Sequence, residues 1–356
     1  MVVVAKARLL DFQVHGSLKK LARTIIAEAK RVHLPTANKD PLVRWFTEDA
    51  ASIIRTIDHA IQQLLFDTET YCRLYASRLT DVSSLAAFFY VALFRATRDF
   101  LTPFFSSNPT WIKDAKEVAD KIDLTWGAVE AAFCDHVADM DAVLIQTTPK
   151  SDVENQGVVR LEVASADHLP LADGSVDSIV TSPPYLTRID YVVATRPELA
   201  ILGCTPAEDD ALRDRMTGTP TIAGSALTSS SAWGTTCLEL LDRVEKHSSR
   251  ASSTYYLPYY KQYFDAVSRS LGELDRVLKP RGRAVFVVQD SYFKELHVNL
   301  PKIFEEVGES RGWTVTNRLE YKVSNNLASI HPEGRKYRDS TRAVECAIVF
   351  SKPSEA

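Results

Sequence analysis

Two consecutive prolines end the β-rich run Val176–Val180, in the stretch Thr181-Ser182-Pro183-Pro184-Tyr185. Each proline fixes its φ and lacks an N–H, and Pro184 also keeps Pro183 out of the helical region. The chain must therefore leave a strand through a rigid extended turn whose carbonyls have no local donors. Around it, Val158–Val163 reads as another β-rich run and Arg283–Gln289 as a buried strand. Leu300–Arg311 reads as a helix, and Trp313–Val323 with Val344–Ser351 as a closing antiparallel pair. Tyr255–Leu278 has helical spacing and stops at Lys279-Pro280-Arg281-Gly282. This alternation predicts an α/β layer fold with a mainly parallel sheet, in which sites lie at the carboxyl ends of strands. The Ser-Pro-Pro-Tyr turn falls at such an end.

Ahead of this region the texture is different. From Lys19 to Ile145 apolar residues recur at spacings of three and four, as in Ala51–Leu65 and Ser84–Phe100, with breaks at Pro35–Asp40, Asp40-Pro41 and Asn108-Pro109. The expected division is a mainly helical region over 1–150 and an α/β region over 151–356. A polar insert or mobile loop is expected at about 205–254, where Thr217–Ser253 is rich in Ser, Thr, Gly and Ala. His59 and His136 fall on helical patterns and read as packing or surface residues. The cysteines Cys72, Cys134, Cys204, Cys237 and Cys346 form no CxxC pair, which points to reduced thiols and gives no metal-ligand spacing. The N-terminus places Lys6 and Arg8 after apolar Val2–Ala5, the reverse of a secretory signal, and Leu85–Phe94 is too short to span a bilayer. These features predict a cytoplasmic protein.

The motif suits one kind of chemistry. The amino group of a base has its lone pair delocalised into the ring and is a poor nucleophile. A hydroxyl (Ser182) and a carbonyl (Pro183) that accept its two hydrogens would turn that lone pair toward an electrophilic methyl group, by positioning and electrostatics with no strong base. Tyr185 offers a ring on which a base stacks, worth about 1–3 kcal/mol. A base inside a duplex is out of reach, so the target is flipped out or unpaired.

Asp177–Tyr185, with Asp167-His168-Leu169-Pro170 ahead of it and Leu274–Gly282 after it, resembles the S-adenosylmethionine-dependent amino-methyltransferase family with its (Ser/Asn/Asp)-Pro-Pro-(Tyr/Phe) signature. The likeness covers about residues 158–351. It implies a Rossmann-like sheet and methyl transfer to an exocyclic base amine in DNA, with cytosine N4 favoured over adenine N6 by the leading serine. It further implies that Ser182, Pro183, Pro184 and Tyr185 hold the target base, and that Asp167, Ala166, Thr181 and Ser182 contact S-adenosylmethionine. Restriction–modification is the setting such enzymes serve. Candidate phosphate contacts are Arg188, Arg196, Arg213 and Arg215 after the motif, and Lys322, Arg335, Lys336, Arg338 and Arg342 near the C-terminus; surface solvation is the alternative for both groups. The net charge of −4 argues against a general basic glove for nucleic acid. Asp190, Tyr191 and Asn325-Asn326 are further pocket candidates.

The chain also departs from the family. The Phe-x-Gly-x-Gly turn expected after a first strand is missing, since Gly157, Gly174, Gly203, Gly218 and Gly282 do not form one. Met1–Arg8 resembles the helix that follows the second strand in such enzymes. In the family's sheet the first two strands lie between the third and fourth, so with Val158–Val163 and Val176–Val180 in those places a slot about two strands wide stays empty. A second polypeptide carrying the cofactor turn would fill it. A truncated gene product or a divergent cofactor loop would also leave the turn unrecognised. Two alternatives to a DNA enzyme stay open: an RNA base amino-methyltransferase, and a non-catalytic subunit that keeps the fold and binds nucleic acid.

Overall fold

The structure is a computed structural model that describes residues 1–32, 34, 39–66, 71–75, 79–106, 110–146, 157–187, 189–222, 227–323 and 343–354. The chain is mixed α/β, with an N-terminal helical region and a small mixed sheet. It divides into two compact units, Met1–Val163 with Tyr191–Leu212, and Ala164–Asp190 with Arg213–Ala356.

The first unit holds α1 (Val2–Ala7), α2 (Leu18–Ala29), α3 (Glu48–Leu65), α4 (Ser84–Phe100), α5 (Trp126–Gln146), α6 (Tyr191–Ala194) and α7 (Arg196–Ile201). Thr47 and Ser83 start α3 and α4 by accepting the Ala50 and Ala86 N–H groups at 3.2 and 3.1 Å, each satisfying a donor that the first turn leaves over. Ile54, Ile57 and Ile61 of α3 and Phe89 and Leu93 of α4 are fully buried with Trp45, Phe46 and Phe133. His136 joins Asp99 through Nε2 at 2.6 Å.

A polar cluster sits inside this apolar unit. Asp58, 2% exposed, accepts hydrogen bonds from Arg55, Gln62, Tyr71 and Tyr90 at 2.5–3.2 Å. Arg55 also donates to both Asp40 oxygens and to the carbonyls of Ala200 and Ile201. Burial opposes the Arg55 charge, but Asp40 and Asp58 outweigh it and raise the pKa further; burial beside Asp58 likewise raises Tyr71 and Tyr90. A buried charge with all its partners is tolerated, whereas removing one partner is expensive.

The second unit carries β1 (Val176–Thr181), α9 (Thr235–Lys246), α10 (Leu257–Val277), β2 (Leu278–Gln289), β3 (Ser291–Phe293), β4 (Leu296–Val298), α11 (Leu300–Glu309), β5 (Thr314–Val323) and β6 (Ala343–Ser351); the unit boundary at Leu212 and Arg213 falls within α8 (Pro206–Arg215). The main sheet has the order β1-β2-β6-β5, and β3 and β4 form a separate hairpin. Phe286, Ile348 and Phe350 on one sheet face share a core with Phe264 and Leu271 of α10 and Ile303 and Phe304 of α11. α11 lies so close that a Cβ added at Gly308 would be 2.7 Å from the Phe350 ring.

The helical region, α10, α11, β1, β2 and the β5–β6 pair all appear where the sequence predicts them. Three expectations need correction. Val158–Val163 forms no strand: it lacks regular structure, with Val158, Val159 and Val163 exposed at 91, 58 and 66%. A β-rich run becomes a strand only where a neighbour offers backbone partners, and the described residues give it none. Within the main sheet only the β1–β2 ladder is parallel, while β6 runs antiparallel to both β2 and β5. Parallel neighbours need a long crossover, which the chain makes between β1 and β2 alone in this sheet. The stretch read as an insert is packed: Trp233, Cys237, Leu240, Leu241 and Val244 are buried in the core, at helical spacing that the surrounding Ser and Thr residues obscure. The five cysteines are free thiols. Among the described residues no helix is long and apolar enough to cross a membrane.

Replacing Asp58 with alanine removes one of the two carboxylates that balance Arg55 and the acceptor of the Tyr71 and Tyr90 hydroxyls. The expected loss is about 3–5 kcal/mol of stability, read from urea unfolding of the whole chain. A loss below about 1 kcal/mol would show that the cluster does not hold the helical unit together.

Candidate functional site

β1 ends at Thr181, opposite Phe286 of β2, so the turn that follows emerges beside the carboxyl end of β2. Ser182, exposed, donates from Oγ to the Val287 carbonyl at 3.0 Å. The hydroxyl oxygens of Ser182 and Tyr185 are 3.4 Å apart. Tyr185 donates to Glu345 Oε1 at 2.7 Å, and Tyr263 of α10 donates to the Pro184 carbonyl at 2.7 Å. Gly218, at φ 78°, packs beside the same proline, and a Cβ there would be 3.6 Å from the Pro184 Cβ. Leu186 closes the turn into the core, 4% exposed. Strand, helix and core thus hold Ser182, Pro184 and Tyr185.

The other predicted site residues are placed as follows. Thr181 is the last residue of β1, and Ala166 is exposed in a turn. Asp167 hydrogen-bonds to the Ser165 hydroxyl and forms an ion pair with Arg269 of α10. The Ser165 hydrogen bond, then the Arg269 charge, hold its carboxyl below the usual range against partial burial. Among the described residues no hydrogen bond joins Asp167 to the motif. Of the cationic candidates, Arg196 is paired with Asp209 at 2.7 Å and Arg213 with Asp190 at 2.8 Å, both carboxylates being buried. These two arginines are engaged by carboxylates of the protein and are not displayed for phosphate. Tyr191 is 42% exposed. Lys322 lies exposed on β5. Arg188, Arg335, Lys336, Arg338, Arg342 and Asn325-Asn326 lie outside the described residues.

Sequence reasoning missed three residues of this region. Glu345 and Tyr263 hold the motif, yet one sits in a strand and the other in a helix with no local sign of it. Asp290 was detectable, because it follows the buried strand directly at its carboxyl end. It accepts from the Val344 N–H at 2.9 Å and pairs with His297 Nε2 at 2.9 Å.

No protein-family model, no curated protein and no solved structure matches the chain. Its own geometry therefore carries the functional reading.

The segment before β1 is fastened to α10. Glu273 accepts from the Leu169 N–H at 2.7 Å and from Arg276, which also pairs with Asp173. The Arg276 hydrogen bonds, then the Leu169 N–H, lower the Glu273 carboxyl to about 2. A depressed carboxyl supports the fold above its unfolded pKa of about 4.3 and loses that support as pH falls toward the folded value. Amide exchange at Leu169 is expected to accelerate between roughly pH 4 and 2 beyond the intrinsic rate, and Glu273→Gln to abolish that transition. An unchanged transition in the variant would assign it to other groups.

Proposed function

We propose that this chain is the base-holding subunit of an S-adenosylmethionine-dependent methyltransferase that acts on an exocyclic amino group of a DNA base, cytosine N4 in preference to adenine N6. The observation that carries the reading is the commitment of the Ser182 hydroxyl hydrogen to the Val287 carbonyl. A serine in that state presents acceptor lone pairs to the solvent side. On this reading the Pro183 carbonyl is the second acceptor, and two acceptors suit a group with two hydrogens, which is a primary amine. Tyr185, fixed through its hydroxyl, offers the stacking surface.

The methyl donor needs a cradle, and the chain provides only part of one. It has no Gly-rich turn, and Asp167 is engaged by Arg269. These residues do not suffice to hold the cofactor, and no chemical step is assigned through it. A partner polypeptide that supplies the missing strands and turn accounts for this. Among the described residues β1 is an edge strand paired only with β2, in the place where the family resemblance leaves room for further strands. Ser178-Ile179-Val180-Thr181 carries no charge, and Val180 is 78% exposed. At the opposite edge β5 carries Arg318, Glu320 and Lys322, the kind of charge that keeps an edge from pairing. β1 has charge only at its start, where Asp177 pairs with Lys279.

The test is transfer of tritiated methyl groups to unmethylated DNA by this chain alone, and together with the product of the adjacent gene. Incorporation is expected only with both; Ser182→Ala, which deletes an acceptor, is expected to reduce it at least a hundredfold, and Pro183→Ala, which keeps the carbonyl but releases its φ restraint, to reduce it as well. Val180→Asp is expected to abolish incorporation while shifting the chain's own stability by no more than about 0.5 kcal/mol. Activity from the chain alone would overturn the partner, and incorporation into RNA but not DNA would move the substrate.

A further inference from the structure

The hydroxyls of Ser182 and Tyr185 are 3.4 Å apart, and either could donate to the other. In the structure neither hydrogen needs to lie between them. Ser182 donates to the Val287 carbonyl, and Tyr185 donates to Glu345 Oε1. Both acceptors sit on paired backbone: Val287 opposes Ala347 in the β2–β6 ladder, and Glu345 opposes Gln289 on one side and Tyr321 on the other. They are placed by the sheet itself and do not depend on the turn. An ionised carboxylate can only accept, so it directs the Tyr185 hydrogen away from the serine.

We propose that Glu345 is a positioning residue that sets the hydrogen-bond polarity of the pocket, so that Ser182 faces the base as an acceptor and an amino base is taken in preference to its keto counterpart. The inference rests on the base-amine reading above and adds the residue that enforces it. A keto oxygen at the position of the amine brings lone pairs against lone pairs and leaves the serine without a partner, which is costly in a confined site. Without the carboxylate, Glu345 no longer holds the Tyr185 hydrogen, and it can point toward Ser182, 3.4 Å away, or the base. The pocket then holds a donor that a keto oxygen accepts, and discrimination falls.

The test uses the full-length chain together with the product of the adjacent gene, and fluorescently labelled oligothymidine containing one central dC, or one central dU in its place. Thymine carries no amino group, so the central base is the only variable, and a single strand removes the cost of flipping. Binding is read by fluorescence anisotropy. The unmodified chain is expected to prefer the dC strand about tenfold or more, the scale of one unsatisfied polar partner. Glu345→Ala is expected to bring that ratio near one. Glu345→Gln is expected to keep it, because the amide oxygen still accepts from Tyr185. Adding Tyr185→Phe to Glu345→Ala is expected to restore it, because the stray hydrogen is then gone. Preference retained in Glu345→Ala overturns the proposal while the base-amine reading stands. Preference lost in Glu345→Ala and not regained in the double variant also overturns it, by reducing Glu345 to a support for the turn. Equal binding of both strands by the unmodified chain removes the base-amine reading and this proposal with it.

Discussion

The parallel pairing of β1 with β2 is the constraint from which the candidate site follows. Parallel neighbours point their carboxyl ends the same way, so the turn after Thr181 emerges beside Val287, Gln289 and Asp290 and not at the far end of the sheet. The two prolines then prevent the turn from coiling away. Because β6 is threaded antiparallel between β2 and β5, its residue Glu345 comes level with Gln289 at the same end of the sheet. Three distant stretches of sequence meet here for a topological reason, and the hydrogen bonds of Ser182, Tyr185 and Pro184 are what that meeting makes possible.

How much of this was legible depends on the range of the signal. The Pro-Pro turn after β1 and the stop after α10 are local signals, and each marks the end of its element. The helical region is legible for the same reason, since Ile54, Ile57 and Ile61 repeat on one face. Val158–Val163 has the composition of a strand, but strand formation needs a neighbour, and no property of six residues reports whether one exists. The packed stretch around Trp233 was hidden in the opposite way, by averaging a few apolar anchors over many polar residues. Glu345 and Tyr263 are the hardest case. Each is ordinary within its own element and gains its role only through a contact far along the chain.

The arginines show a similar limit. Charge counted along a sequence suggests phosphate contacts, but Arg196 and Arg213 meet the buried carboxylates Asp209 and Asp190. Asp190 is the last residue before the chain enters the helical unit, and Arg213 is the first after it returns. Their ion pair therefore closes the base of the 191–212 excursion. Within the helical unit, the excursion's backbone carbonyls at Ala194, Ala200, Ile201 and Gly203 accept from Arg98, Arg55 and Arg73. Arginine suits this work because its planar fork satisfies several carbonyls at once. These cations tie down a segment that begins only a few residues beyond Tyr185.

The two edges of the sheet are treated unequally, and the difference bears on how the protein works. A bare strand edge invites pairing, and proteins that must remain unpaired there place charge along it. β5 does so at Arg318, Glu320 and Lys322, whereas β1 has only Asp177 at its start, and that carboxylate is bound by Lys279 at 2.7 Å. Val180 adds an exposed apolar side chain on the strand that leads directly into Ser182. Such an edge, next to the motif, is open to pairing by another strand. It is favourable where another strand is meant to pair there, because the pairing would also complete the floor on which the Ser-Pro-Pro-Tyr turn rests. Under the proposed function, association would then also assemble the site, and the missing Gly-rich turn and the open edge of β1 would have one explanation.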